Sequence, residues 1–146
     1  MEEFDRLKLE NQLCFPLYAL SRKVTQLYKP LLGEYNLTYT QYITMLVIWE
    51  HEEISFKRLG EELYLDSGTL SPVIKRLKKK GLVEKFRDPL DDRLVMVELT
   101  EKGKKMKKEI VEVPKKLACQ ITGKKETLIQ LKKNLDELLV ESEKWD

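Results

Sequence analysis

Apolar residues at Leu13, Leu17, Leu20, Val24, Leu27 and Leu31 are separated by steps of 4, 3, 4, 3 and 4. That spacing lines one face of an α-helix, with Pro30 near its end and Gly33 and Asn36 as breakers beyond it. A second helix is predicted through Tyr42, Ile43, Leu46, Val47 and Trp49, capped by Thr38 or Thr40 and ending in the acidic run from Glu50 to Glu53. Ser55 suits the cap of a short third helix with Leu59 and Leu63 inward. Asp66 or Ser67 caps a fourth, in which Leu70, Val73, Ile74 and Leu77 fall at i, i+3, i+4 and i+7. Gly81 stops that helix just past its C-cap.

Beyond Gly81 the period changes from 3.6 to 2. Residues 82–87 and 94–99 read as two short strands joined by the polar turn Asp88-Pro89-Leu90-Asp91-Asp92-Arg93. Thr100 caps a fifth helix in which Met106, Ile110, Val113 and Leu117 share a face, and Pro114 should bend it. Gly123 breaks the chain. A sixth helix carries Leu128, Leu131, Leu135 and Leu138.

Two short capped helices followed by a hairpin form a winged helix-turn-helix. The expected fold is therefore mainly α with a small β-hairpin, a single domain over residues 1–146. Residues 38–99 form the winged lobe, and residues 1–35 and 100–146 supply helices around it. The first, fifth and sixth helices carry narrow apolar stripes that one small lobe cannot cover, which predicts a homodimer.

Composition narrows the functional classes. Of 146 residues, 42% are hydrophobic and 36% charged, with 6 Gly and 5 Pro, which suits a packed helical protein. No apolar run reaches the roughly 18–20 residues of a membrane span. The acidic start Met1-Glu2-Glu3-Phe4-Asp5 has no signal-peptide pattern, and the 2 cysteines are too few for a disulfide framework, so a cytoplasmic protein with free thiols is expected. Net charge is +2, but it is unevenly spread. Residues 75–108 hold 13 basic and 6 acidic side chains, net +7, and the remaining 14 basic and 19 acidic make −5. A basic window in an acidic remainder fits a polyanion-binding face as well as a solvated lysine-rich one.

The outward face of the fourth helix carries Ser67, Thr69, Ser71, Lys75, Arg76 and Lys79. Hydroxyls at a helix start can meet phosphates or base edges, and the lysines farther along suit the DNA backbone. Arg93 in the wing suits a narrow minor groove, with Asp91 two residues earlier to orient it.

Leu65-Asp66-Ser67-Gly68-Thr69-Leu70-Ser71-Pro72, then Lys75-Arg76-Leu77 and Gly81-Leu82, resemble the recognition region of MarR-type winged-helix regulators. Asp91-Asp92-Arg93 is similar to their D-x-R wing, and Leu99-Thr100-Glu101-Lys102-Gly103 to the L-T-x-x-G opening their dimerising helix. Leu9-Glu10-Asn11-Gln12-Leu13-Cys14-Phe15, Tyr28-Lys29-Pro30-Leu31-Leu32 and Leu37-Thr38-Tyr39-Thr40-Gln41-Tyr42 resemble the organic hydroperoxide resistance branch. The resemblance covers nearly the whole chain. It implies a homodimeric repressor on a pseudo-palindromic operator in double-stranded DNA, with organic hydroperoxide as reactant.

It also implies that Cys14 is the reactive thiol, stabilised as thiolate by Tyr18 and, across the dimer, by Tyr28 and Tyr39. Phenolic donors favour the ionised sulfur. Pro16 departs from the aliphatic residue common in the branch. It removes a bond to the Gln12 carbonyl and is expected to restart the helix near Cys14. Cys119 has the spacing of the resolving cysteine in the two-cysteine subclass, which implies a disulfide to the other subunit. By residue type alone, each cysteine reads equally as a small buried hydrophobe.

Other readings stay open. Tyr18, Tyr28, Tyr39, Tyr42 and Phe15 also suit a pocket for a small aromatic ligand, and the same thiol suits a broader oxidative-stress regulator. A thiol peroxidase would need turnover with a reductant. The one histidine, His51, has no nucleophile near it in sequence, so no enzyme is expected. Without a Gly-rich phosphate loop, C-x-x-C or H-E-x-x-H, no cofactor or metal is expected either.

Overall fold

The computed structural model describes residues 2–145. Two 3-10 turns, Glu3–Leu7 and Leu9–Asn11, lead into α1 (Cys14–Gly33). There follow α2 (Tyr39–His51), β1 (Glu53–Ser55), α3 (Phe56–Leu63), α4 (Ser67–Lys79), β2 (Val83–Arg87) and β3 (Val95–Leu99). The chain continues through α5 (Glu101–Ile110), α6 (Val113–Gln120) and α7 (Lys125–Glu141) to a last 3-10 turn, Ser142–Lys144.

Caps set the boundaries. Thr38 rather than Thr40 caps α2, in a reciprocal box with Gln41. Ser55 accepts from the Arg58 N–H at α3, Asp66 from Thr69 at α4, and Thr100 from Gly103 at α5. At the end of α4, Gly81 takes φ +77°, a left-handed conformation that its missing Cβ makes cheap. Its N–H then reaches the Lys78 carbonyl at 2.9 Å and the Leu82 N–H reaches Leu77 at 3.1 Å, the paired bonds of a Schellman stop. Gly103 is held by space instead. A Cβ there would collide with the Leu82 carbonyl oxygen, and the Trp49 indole donates to the Gly103 carbonyl at 2.9 Å.

Two elements differ from expectation. The sheet has three strands in the order β1-β3-β2, all antiparallel, so the hairpin gains a strand. Glu52 at φ +63° turns the chain out of α2, and Ile54 packs buried opposite Val97. The fifth predicted helix is broken rather than bent. Pro114 has no N–H for the Ile110 carbonyl, so α5 ends there and Pro114 sits in the first turn of α6, where the missing donor costs nothing.

The core lies in the middle of the chain. Met45 and Ile48 of α2, Leu59 of α3, Leu70, Ile74 and Leu77 of α4, and Val83 and Val97 of the sheet are all buried. Leu32 of α1 and Ile110, Val113 and Leu117 of α5 and α6 anchor the flanking helices. By contrast α7 has no buried residue, and α1 buries only Leu32.

Candidate DNA-reading face and thiol site

With Leu70, Ile74 and Leu77 buried and Val73 packed against the same core, the polar positions of α4 face solvent. Ser67, Thr69, Ser71, Lys75, Arg76 and Lys79 are all exposed, the first three in the opening turns. The Asp66 carboxylate accepts the Thr69 N–H at 2.7 Å, and the Thr69 hydrogen bonds hold its carboxyl below the usual carboxylate range. The positive end of the helix dipole and free N–H groups are therefore presented together with the hydroxyls.

The wing is a self-bonded turn. The Asp88 N–H meets the Leu94 carbonyl at 2.9 Å, its carboxylate accepts from the Leu90 N–H at 2.8 Å, and Arg87 donates to the Asp92 carbonyl at 2.8 Å. At its tip Arg93 forks onto Asp91, with Nε–Oδ1 at 3.0 Å and Nη2–Oδ2 at 3.2 Å. These bonds hold the Asp91 carboxyl below its ordinary range. The guanidinium is thus oriented while its side chain stays 87% exposed.

Cys14 is the first residue of α1, exposed, with Pro16 in the same turn. The helix therefore starts at the thiol, as the proline predicted. Tyr18, one turn on and on the same face, is exposed, with the Arg22 guanidinium 5.4 Å from its ring centre. Tyr28 and Tyr39 are half-buried, their rings tilted by 42° with centres 4.8 Å apart, and buried Tyr42 joins Tyr28 at 5.6 Å. Burial, then the neighbouring Tyr39 and Tyr42, push the Tyr28 phenol up to about 12, and burial raises Tyr39 and Tyr42 as well. These hydroxyls remain protonated donors. Those of Tyr35 and Tyr64 are taken by Glu109 and Glu143; among the described residues those of Tyr28 and Tyr39 have no acceptor.

Cys14 and Tyr28 do not meet within the chain. Fourteen helical residues place them roughly 21 Å apart along α1. Cys119 is the penultimate residue of α6, exposed and unpaired, one turn after Lys115 and Lys116.

One group carries no periodic signal in the sequence. Gln41, 3% exposed, accepts from the Lys80 ammonium at 2.8 Å. Lys80 borders a cleft of about 410 Å³ with Tyr28, Tyr39 and Thr38. Among the described residues no cluster of three or more His, Cys, Asp or Glu is placed to hold a metal ion, and no helix is long and apolar enough to cross a membrane.

An oriented wing arginine beside a capped, hydroxyl- and lysine-bearing helix defines a winged-helix transcriptional regulator. A family model described as transcriptional regulator SarA/Rot matches residues 26–110. The organic hydroperoxide resistance transcriptional regulator of Bacillus subtilis (strain 168) is 48% identical over 137 residues, covering 94% of this chain and 93% of that protein. Among solved structures, reduced AbfR bound to DNA superposes with a TM-score of 0.74 at 30% identity, covering 92% of this chain and 96% of that one. Disulfide-formed AbfR gives 0.66 at 30% identity, over 92% and 95%; AbfR is a Staphylococcus epidermidis protein. The chain belongs to this family of MarR-type winged-helix transcriptional regulators, in the group that holds the SarA/Rot and organic hydroperoxide resistance regulators. These relatives are regulators of transcription.

Proposed function

We propose that the protein is a cytoplasmic homodimeric repressor that binds a pseudo-palindromic operator and releases it when organic hydroperoxide oxidises Cys14. In this reading residues 38–99 are the reading lobe, and residues 1–35 and 100–146 build the dimer. Ser67, Thr69 and Ser71 approach the major groove, Lys75, Arg76 and Lys79 hold phosphates, and Arg93, oriented by Asp91, enters the minor groove.

The observation that carries it is the separation of thiol and phenols. An exposed Cys14 opens a helix whose apolar stripe is uncovered, while Tyr28 and Tyr39 present hydroxyls with no acceptor, too far along to serve their own thiol. A two-fold partner laid along α1 supplies each sulfur with the other subunit's phenols, beside its own Tyr18. The similarity to a hydroperoxide resistance regulator supports the same reading.

The thiolate sulfur attacks one peroxide oxygen and the O–O bond breaks. The sulfur keeps that oxygen as sulfenic acid, and the other oxygen leaves with a proton as the alcohol. The Cys119 thiol of the other subunit then attacks the sulfenic sulfur; the S–S bond forms as the S–O bond breaks, and the hydroxide leaves with the thiol's proton as water. The new bond reorients the lobes relative to the operator.

The test is operator binding before and after cumene hydroperoxide, with wild type and Cys14→Ser. Wild type is expected to release and Cys14→Ser to stay bound. Equal release by both overturns the reading. On non-reducing electrophoresis the oxidised wild type should run as a covalent dimer that Cys119→Ser abolishes. A second reading is favoured by the cleft beside Tyr28, Tyr39 and Lys80: a small aromatic ligand lodges there and drives release. In that case Cys14→Ser still responds to the ligand.

A further inference from the structure

We infer that Lys80 is the positioning residue that couples the thiol-sensing tyrosines to the recognition helix. This inference rests on the proposed hydroperoxide response. It concerns how a change at sulfur reaches DNA.

Lys80 is the C-cap of α4, its N–H bonded to the Arg76 carbonyl at 3.0 Å. Its backbone therefore moves with the helix that carries the reading residues. The side chain leaves that helix and crosses to the turn between α1 and α2. There the ammonium donates to the Asn36 carbonyl and, at 2.8 Å, to Gln41 Oε1. The same Oε1 accepts the Thr38 N–H at 3.2 Å, and the Gln41 N–H returns a bond of 3.2 Å to Thr38 Oγ1. The capping box thus brackets Tyr39, the first residue of α2, and one oxygen joins that box to the recognition helix.

The Tyr39 ring packs against that of Tyr28, tilted by 42°. A displacement of this pair, when a sulfur against it gains an oxygen, must carry the bracketed turn along or break its bonds. A second lysine braces the link from behind: the Lys102 ammonium donates to the Lys80 carbonyl at 2.8 Å. Burial, and then the nearby Arg76, pull the Lys80 ammonium below its ordinary range. Its bonds are therefore made in a partly dried setting, where charge-assisted hydrogen bonds are strong. Asn36, Thr38, Tyr39 and Gln41 around the ammonium carry no formal charge at neutral pH, and the basic side chains of Lys29 on the cleft and Lys102 behind supply no counter-charge.

The test compares wild type, Lys80→Met, Lys80→Arg and Gln41→Met in two measurements. One is the rate at which Cys14 is lost to cumene hydroperoxide. The other is the ratio of operator affinities in the reduced and oxidised states. Loss of a phosphate attraction at Lys80 lowers both affinities together, so the ratio reads coupling alone. Allosteric couplings typically amount to roughly 5–150-fold. Lys80→Met and Gln41→Met are expected to oxidise as fast as wild type while their ratio shrinks at least about ten-fold, and Lys80→Arg to restore it.

Gln41→Met keeps the charge of Lys80 and decides the matter if Lys80→Met does not fold. A full wild-type ratio in either variant overturns the coupling role, as does loss of reduced-state binding in step with a lowered melting temperature. A wild type that keeps its operator after oxidation overturns the proposed function itself, so the two failures are distinguishable.

Discussion

The reading lobe and the helical ends are built from similar apolar content and end up in opposite states. In the lobe, Leu59, Leu70 and Leu77 are completely buried and the sheet closes over them. On α7, Leu131, Leu135 and Leu138 stay 40%, 38% and 39% exposed, and Leu13 at the start of α1 and Leu17 and Leu20 within it are open as well. Fully burying a leucine is worth about 1.5–3 kcal/mol, so these stripes leave several kcal/mol unrealised in one chain. The lobe's core closes within one chain, with Leu32, Ile110 and Val113 of the flanking helices joining it. The ends leave their stripes open in one chain, which is the surface the proposed second copy covers, and the exposed Cys14 and Cys119 lie on these ends.

The largest effect expected from this contrast is on assembly. Leu131→Asp with Leu135→Asp puts two charges into the open stripe of α7, where a dimer would bury them unpaired. Sedimentation should show a monomer. Operator affinity should fall by roughly 100- to 10,000-fold, because one lobe no longer tethers the other to its half-site. A variant that stays dimeric breaks the contrast.

The lobe should respond in the other way. Leu70→Ala is expected to cost about 2–5 kcal/mol of stability, from lost burial and the cavity left behind. That loss should not depend on protein concentration, whereas melting of Leu138→Ala should shift with it, since its contribution arises only on association. Thermal melts across a concentration series separate the two. A strongly concentration-dependent Leu70→Ala effect would mean that the lobe leans on the partner too.

The same contrast explains what the sequence discloses. Recognition helix α4 was legible because its signals agree: an aspartate cap, an unbroken inward stripe, and a glycine that its stop conformation favours. β2 and β3 were legible from their alternation. β1 was not, since three residues carry too little period and Glu53 continues an acidic run that reads as a helix end. The α5–α6 boundary was half legible: Pro114 marks a fault, but bend or break depends on packing. At the site, the exposure of Ser67, Thr69, Ser71, Lys75, Arg76 and Lys79 follows from the period of α4, and that of Arg93 from its place in a polar turn. The Lys80–Gln41 link does not, because it joins residues 39 apart through one buried oxygen.

A middle-sized effect falls on the wing. Arg93→Ala should reduce operator binding by about 1–3 kcal/mol and lower the salt slope by about one. Its side chain is 87% exposed, so the melting temperature should not change. Gel shifts at several salt concentrations, beside a melt, check both. Unchanged operator affinity would remove Arg93 from the interface.

The smallest effect belongs to the cap that starts the recognition helix, and pH isolates it. Hydrogen bonds from Thr69 hold the Asp66 carboxyl below its ordinary 3.8. A lowered folded-state value means that the contribution is fully present at neutral pH. It is lost as pH falls from the ordinary value through the lowered one. Asn caps a helix about as well as Asp but does not titrate. Asp66→Asn should therefore match wild type at neutral pH and lose less melting temperature on acidification below about pH 4. Asp66→Ala should melt a few degrees lower at neutral pH, with a flatter acid limb. The Asp91–Arg93 pair titrates in the same direction but lies at an exposed wing tip and is unchanged in both variants. If Asp66→Ala melts with wild type at neutral pH, the lobe's own packing sets the start of α4 and the cap adds nothing.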